Sequence, residues 1–218
     1  LIEYINRSTS KNVFKILVKK NVEKLNLRDD ITLQVARLSQ TRLSNKKKPL
    51  KLCYYGEVVR KKGSMLRPER QFLQIGAECI GENSFLADVE MMELAYTSLN
   101  LVGIKQITIE VSSRIFYDKF ISTVKKFYNK EEIIRLIRLK DLDSLIKILN
   151  KKDHKYITNL FACTGSYKNK KNNLKKLAID KFTANEITNI ENIINSFLSR
   201  NKNVNIFLDL CEIDLKNY

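Results

Sequence analysis

Two stretches decide how this chain folds: Tyr54-Tyr55-Gly56-Glu57-Val58-Val59-Arg60, and then Gln71-Phe72-Leu73-Gln74-Ile75-Gly76-Ala77-Glu78-Cys79-Ile80-Gly81. Segments 51–60 and 70–80, which contain them, are rich in β-formers, and the loop 61–69 joins them as a long antiparallel hairpin. Alternation along the second strand separates two faces. Leu73, Ile75, Ala77 and Cys79 share one, which is expected to anchor the strand in the core. Arg70, Phe72, Gln74, Gly76 and Glu78 share the other, which gathers a guanidinium, an amide and a carboxylate, with Gly76 expected to leave room for a ligand.

Upstream, residues 13–18 read as a strand, and Leu25 and Leu27 close a short second one. A helix is predicted from about Asp30, because Ile31, Val35 and Leu38 fall at i, i+4 and i+7, with Asp29 or Asp30 as its cap. The run 45–49 breaks it. Downstream, a helix from about Leu86 to Leu101 is predicted to turn Met91, Leu94, Ala95 and Leu99 inward, and Gly103 suits its C-terminal end. Residues 106–111 alternate as a strand, Arg114 to Arg200 carries only short helical patterns, and 204–210 returns to strand. The expected class is α+β: an antiparallel sheet with flanking helices and a helical insertion. The expected domains are a core of 1–113 with 201–218 and a mostly helical insertion over 114–200.

The chain has 218 residues, 44% of them hydrophobic, which excludes wholesale disorder. No run of 18 apolar residues exists and no signal peptide opens the chain, so no membrane partner is expected. The net charge of +16 comes from 29 Lys and 11 Arg among many Asn and Ile, a balance that an AT-rich genome writes on any solvated surface. Nucleic-acid readers lean on Arg, so weak, salt-sensitive polyanion binding is expected rather than specific nucleic-acid recognition. The lysines at Lys168, Lys170, Lys171, Lys175 and Lys176 read as a solvated helical surface, with a face for RNA or a partner subunit as the alternative. Cys53, Cys79, Cys163 and Cys211 form no CxxC pair and read as small buried hydrophobes in a reducing cytosol. The single histidine, His154, lies in a charge run, which excludes a Ser/His/Asp triad or zinc site, and no cofactor motif is present.

The two stretches quoted first, with Ala87-Asp88-Val89-Glu90, resemble the motif 2 region of the histidyl-tRNA synthetase family, a class II aminoacyl-tRNA synthetase fold. Leu27-Arg28-Asp29-Asp30-Ile31-Thr32 resembles the family's Leu-Arg-Pro-acid-x-Thr block, with Asp29 where proline is usual. The resemblance implies that Gln74 and Glu78 face a histidine α-amino group and imidazole, with Asp30 and Thr32 as further α-amino contacts. It implies that Arg60 grips a carboxylate or α-phosphate, Phe72 stacks on adenine and Arg70 neutralises phosphate. The bland alternatives stay open for each: an exposed polar face, helix capping, a solvated strand end, a partly buried ring, or screening of Glu57 or Glu69.

The family has a catalytic branch, which charges tRNA, and a non-catalytic one, the regulatory subunits of ATP phosphoribosyltransferase. Three departures favour the second. Asp30-Ile31-Thr32 followed by Gln34-Val35-Ala36-Arg37 resembles it; Lys62 stands where synthetases place an acid; and Asp209 to Tyr218 contains no arginine where synthetases carry a catalytic one. Leu1-Ile2-Glu3-Tyr4 resembles the tail of motif 1, and motif 3 is not represented, so the chain reads as a fragment. The resemblance thus implies a cytoplasmic subunit that binds the short catalytic subunit, dimerises through its synthetase-like core, takes histidine as a candidate ligand and contributes feedback. A divergent histidyl-tRNA synthetase is the alternative, and an RNA-binding synthetase-like protein a third.

Overall fold

The computed structural model describes residues 13–16, 25–61, 68–124 and 128–212, and the chain divides into two compact units, 1–87 with 215–218 and 88–214. The expectations for Leu1–Tyr4, Lys62 and residues 213–218 lie outside the described residues.

In the first unit, β1 (Lys15–Ile16) pairs antiparallel with β2 (Leu25–Asn26), while Leu27 lies just beyond β2 and is exposed. Helix α1 (Thr32–Gln40) follows, and ends before the 45–49 run reaches it. Asp30 serves its start by accepting the Thr32 N–H at 2.8 Å, although Ile31 occupies the capping position itself. Strands β3 (Leu50–Val59) and β4 (Gln71–Ile80) form the long antiparallel hairpin, with Tyr54 opposite Gly76 and Leu52 opposite Glu78. Ile31, Val35 and Val58 are buried together, with Leu52, Tyr54, Phe72 and Ile80 packed against them, whereas Leu38 stays exposed.

This packing inverts the expected faces of β4. Leu73 is 58% and Ile75 77% exposed, while the Phe72–Gln74–Gly76–Glu78 side is half-buried beneath α1. Alternation distinguishes the two faces of a strand but does not say which one a neighbour covers. Here the helix lands on the face that carries the polar groups.

In the second unit, α2 (Phe85–Leu101, whose first turn begins in the first unit) buries Val89 and sets the Tyr96 ring edge-on to Phe197 at 5.8 Å. The expected inward set is corrected in part: Met91 is half-buried, but Leu94, Ala95 and Leu99 are exposed, and the helix turns Val89, Glu93 and Tyr96 inward beside Met91. That helix is apolar nearly all round, so its sequence period does not select a face. Gly103, at φ 86°, ends it in a Schellman arrangement, with Gly103 N–H to Asn100 and Ile104 N–H to Leu99, both 3.0 Å.

Strand β5 (Thr108–Val111) pairs parallel with β7 (Asn205–Leu208), which also pairs antiparallel with the two-residue β6 (Gly165–Ser166). Around them pack α3 (Arg114–Val124), α4 (Lys130–Arg138), α5 (Leu142–Ile148), α6 (Lys151–Ala162), α7 (Tyr167–Leu174) and α8 (Lys181–Arg200). Their core holds Phe116, Ile137, Leu145, Ile157, Ile194, Phe197 and Leu208, all fully buried. Asp180 begins α8 with a capping box to Thr183. Lys140, at φ 56°, ion-pairs the buried Asp209.

Cysteine exposure follows from this arrangement. Burial pushes the Cys163 thiol up to about 11 and the Cys211 thiol up to about 12, and both are enclosed, whereas Cys53 is exposed. Native alkylation at pH 8, read by mass spectrometry, should label Cys53 first and leave Cys163 and Cys211 unmodified until the protein unfolds.

Candidate functional site

The inward face of the hairpin and the start of α1 meet in the first unit, and there the sequence-predicted residues gather. Gln74 Oε1 accepts the Ile31 N–H at 3.3 Å, tying β4 to the entry of the helix. Thr32 Oγ1 lies 3.0 Å from the Tyr54 hydroxyl, which donates to Glu78 Oε1 at 3.2 Å. A chain of polar groups thus runs from the helix start across β3 to β4. Asp30, Thr32, Gln74 and Glu78 are all half-buried.

Tyr54 is a residue of this group that the sequence pattern does not single out. Its ring lies against Gly76, where a Cβ would come within 2.3 Å of Tyr54 Cζ and the hydroxyl oxygen. The expectation that Gly76 leaves space for a ligand is therefore corrected: the space holds Tyr54. The signal was available in the hairpin, since a large residue directly opposite a glycine on a common face leans into the gap. Burial pushes the Tyr54 phenol up from its ordinary value; Thr32 partly offsets this and the Glu78 charge adds to it. The hydroxyl stays protonated at neutral pH and acts as a donor to Glu78.

Arg60 and Phe72 form a second group. The Arg60 guanidinium sits 4.9 Å from the centroid of the Phe72 ring, and its Nε donates to the Asp29 carbonyl at 3.4 Å. Arg70 lies apart, 6.0 Å from the Phe14 ring centroid and exposed. Glu57, one of the acids it was expected to screen, accepts instead from Gln71 Nε2 at 3.0 Å. Arg28, another residue the sequence did not single out, donates from Nε to the Glu57 carbonyl at 3.0 Å and from a terminal nitrogen to Gln34 Oε1 at 3.3 Å.

Chemically, the arrangement offers carboxylates and amide oxygens to a cationic or N–H-bearing ligand. Glu78 has a second oxygen beyond the one Tyr54 engages, and a carboxylate accepts several hydrogen bonds. Arg60 supplies a cation on the same side.

The chain belongs to the histidyl-tRNA synthetase family, whose family model matches residues 1–218. It is 42% identical over 106 residues to an ATP phosphoribosyltransferase regulatory subunit from Rhodospirillum centenum, covering 49% of this chain and 28% of that protein. Two solved structures share its fold. One is described as an ATP phosphoribosyltransferase regulatory subunit/histidyl-tRNA synthetase from Bacillus halodurans, with TM-score 0.78 and 21% identity, covering 93% of this chain and 54% of the other. The second is the ATP phosphoribosyl transferase (HisG:HisZ) complex from Thermotoga maritima, with TM-score 0.65 and 19% identity, covering 93% of this chain and 70% of the other. The chain spans from 28% to 47% of the length of curated relatives such as these regulatory subunits. The fold is α+β and class II synthetase-like, as expected from the sequence.

The Tyr54–Gly76 contact makes a direct prediction. Gly76→Ala places a methyl group inside the Tyr54 ring, so the ring must leave its bonds to Thr32 and Glu78. Overpacking of this kind costs about 1–3 kcal/mol, and urea denaturation should show the loss.

Proposed function

We propose that this chain is part of a regulatory subunit of ATP phosphoribosyltransferase, a non-catalytic cytoplasmic partner of the short catalytic subunit in the first step of histidine biosynthesis. The observation that carries the reading is the set of acceptors drawn together by α1, β3 and β4: Asp30, Thr32, Gln74 and Glu78 border one half-buried site. The names of its curated relatives, and the naming of a two-protein complex among structures of the same fold, support the same assignment.

Histidine is the ligand we assign to the site. Its ammonium and ring N–H groups require acceptors, which Gln74, Asp30 and Glu78 provide, and Arg60 faces its carboxylate. Phe72 and Arg70 are the remnants of a nucleotide site in this reading, and Phe72 is now covered by Arg60. Feedback then requires that histidine bind one state of the assembly better than the other. Self-association through the synthetase-like core completes the assembly, with residues 114–200 as the helical insertion into that core.

Catalysis is absent in this reading because two groups are replaced: Lys62 stands in place of an acid, and no arginine occurs from Asp209 to Tyr218. Losing one transition-state-stabilising donor costs about 10²–10³ in rate. The full-length protein should therefore give no histidine-dependent pyrophosphate exchange; exchange at a synthetase-like rate would assign it to the tRNA-charging branch.

Copurification with the catalytic subunit, with and without histidine, tests the partner. Calorimetry tests the site. Glu78→Gln preserves shape and removes charge, and a hydrogen bond to a charged group contributes about 1.5–3 kcal/mol. Histidine affinity should fall roughly 10- to 100-fold, with activation of the catalytic subunit retained; unchanged affinity in a folded variant would place histidine elsewhere in the complex.

A further inference from the structure

The second unit contains a cavity of about 450 Å³ between α3, α6 and residues 176–179. Its size lies within the range of roughly 300–1,000 Å³ typical of small-molecule pockets. Asp153 stands in its wall, only 6% exposed, and the carboxylate makes no hydrogen bond or ion pair among the described residues. The carboxylate oxygens keep some access to water, and when ionised they can only accept hydrogen bonds.

The other walls have a complementary character. Phe120 and Tyr156 stack with centroids 6.0 Å apart and planes 6° from parallel, and the Tyr156 hydroxyl is spent on the Phe116 carbonyl at 3.0 Å. What Tyr156 offers the cavity is therefore its apolar ring. Lysines rim the space: Lys119, held by Asp180, together with Lys152, Lys155 and Lys176. Lysines supply point charges on flexible stems, suited to a phosphate that enters and leaves.

We propose that this cavity binds a nucleotide-sized anion whose body carries N–H donors, with those donors on Asp153, a planar ring beside Tyr156 and the anionic group among Lys119, Lys155 and Lys176. Each part answers a separate feature: the buried acceptor, the aromatic wall and the cationic rim. A bare anion would not use the Asp153 acceptor, and a neutral ring would not use the positive rim.

Calorimetric titration of the purified full chain with guanosine monophosphate, adenosine monophosphate and inorganic phosphate tests this. Guanine presents two adjacent N–H donors to a carboxylate, whereas adenine presents a donor beside an acceptor. Guanosine monophosphate should bind about tenfold or more tighter than either control, and Asp153→Asn should erase that preference. Lys155→Ala should weaken both nucleotides and phosphate alike, an effect that diminishes in high salt. Circular dichroism verifies that each variant is folded; if Asp153→Asn is not, the ranking of the three probes on wild type and Lys155→Ala still decides. Phosphate binding as tightly as the guanine nucleotide would reduce the site to a lysine patch and overturn the proposal. So would a failure of guanosine monophosphate to bind. A melting temperature lowered by Asp153→Asn with unchanged nucleotide affinity would overturn it too, assigning the carboxylate to the first turn of α6, where a negative charge favours the helix dipole.

Discussion

A tyrosine lying in the gap left by a glycine organises the first unit. Tyr54 and Gly76 face one another across the hairpin, and the absent side chain at Gly76 lets the phenol ring settle against the β4 backbone. In that position the hydroxyl reaches both Thr32 at the start of α1 and Glu78 on β4. One ring thereby couples strand register, helix placement and the orientation of a carboxylate. Gln74 makes a second tie to the helix start through the Ile31 N–H, and Ile31 itself enters the small core with Val35 and Val58. A slip of one residue in the hairpin would send Tyr54 to the other face and dissolve all of these contacts together.

Because the acceptors are held by protein donors, they are oriented before any ligand arrives. Polar networks of this sort are stable only when their members are satisfied, and here Tyr54, Thr32 and the Ile31 N–H provide the donors. An incoming N–H group would then add to the network through lone pairs not yet used, with little reorganisation of the site. The Arg60–Phe72 contact has the opposite consequence: a guanidinium over the ring occupies the face that a stacked base would need.

The second unit is built on a different balance. Its core is large and mixes aliphatic side chains with Phe116 and Phe197, Asn129, Asp141 and Asp180 cap three of its helices, and its three-stranded sheet draws together segments far apart in the chain, β5 with β7. The buried Asp209 is neutralised by Lys140, so the cluster it forms with Glu110 and Glu212 already contains a cation. Asp153 has no such partner among the described residues, and it lines a cavity instead.

Local order was legible in the amino-acid sequence wherever a short-range rule governed it. The hairpin strands, the helix begun near Asp30, the Gly103 terminus and the helical character of Arg114 to Arg200 follow from β-propensity, helical period and the left-handed freedom of glycine, although α8 runs unbroken for 20 residues where only short helices are expected. Strand spacing also puts Gln74 and Glu78 on one side, because register carries i and i+4 of a strand to the same face. The sequence did not reveal which side would be covered. Leu73 and Ile75 read as core and lie exposed, since among the described residues one helix packs on the β3–β4 hairpin and it covers the polar face. Leu94 and Leu99 were misassigned because α2 is apolar on several faces and only its neighbours select one. Tyr54 filling Gly76, β7 pairing parallel to β5, and Asp153 sharing a cavity with Lys119 and Lys176 all join segments distant in the chain. Composition and periodicity describe what each segment prefers alone, whereas burial and partnership are properties of the pair, and those only the tertiary structure decided.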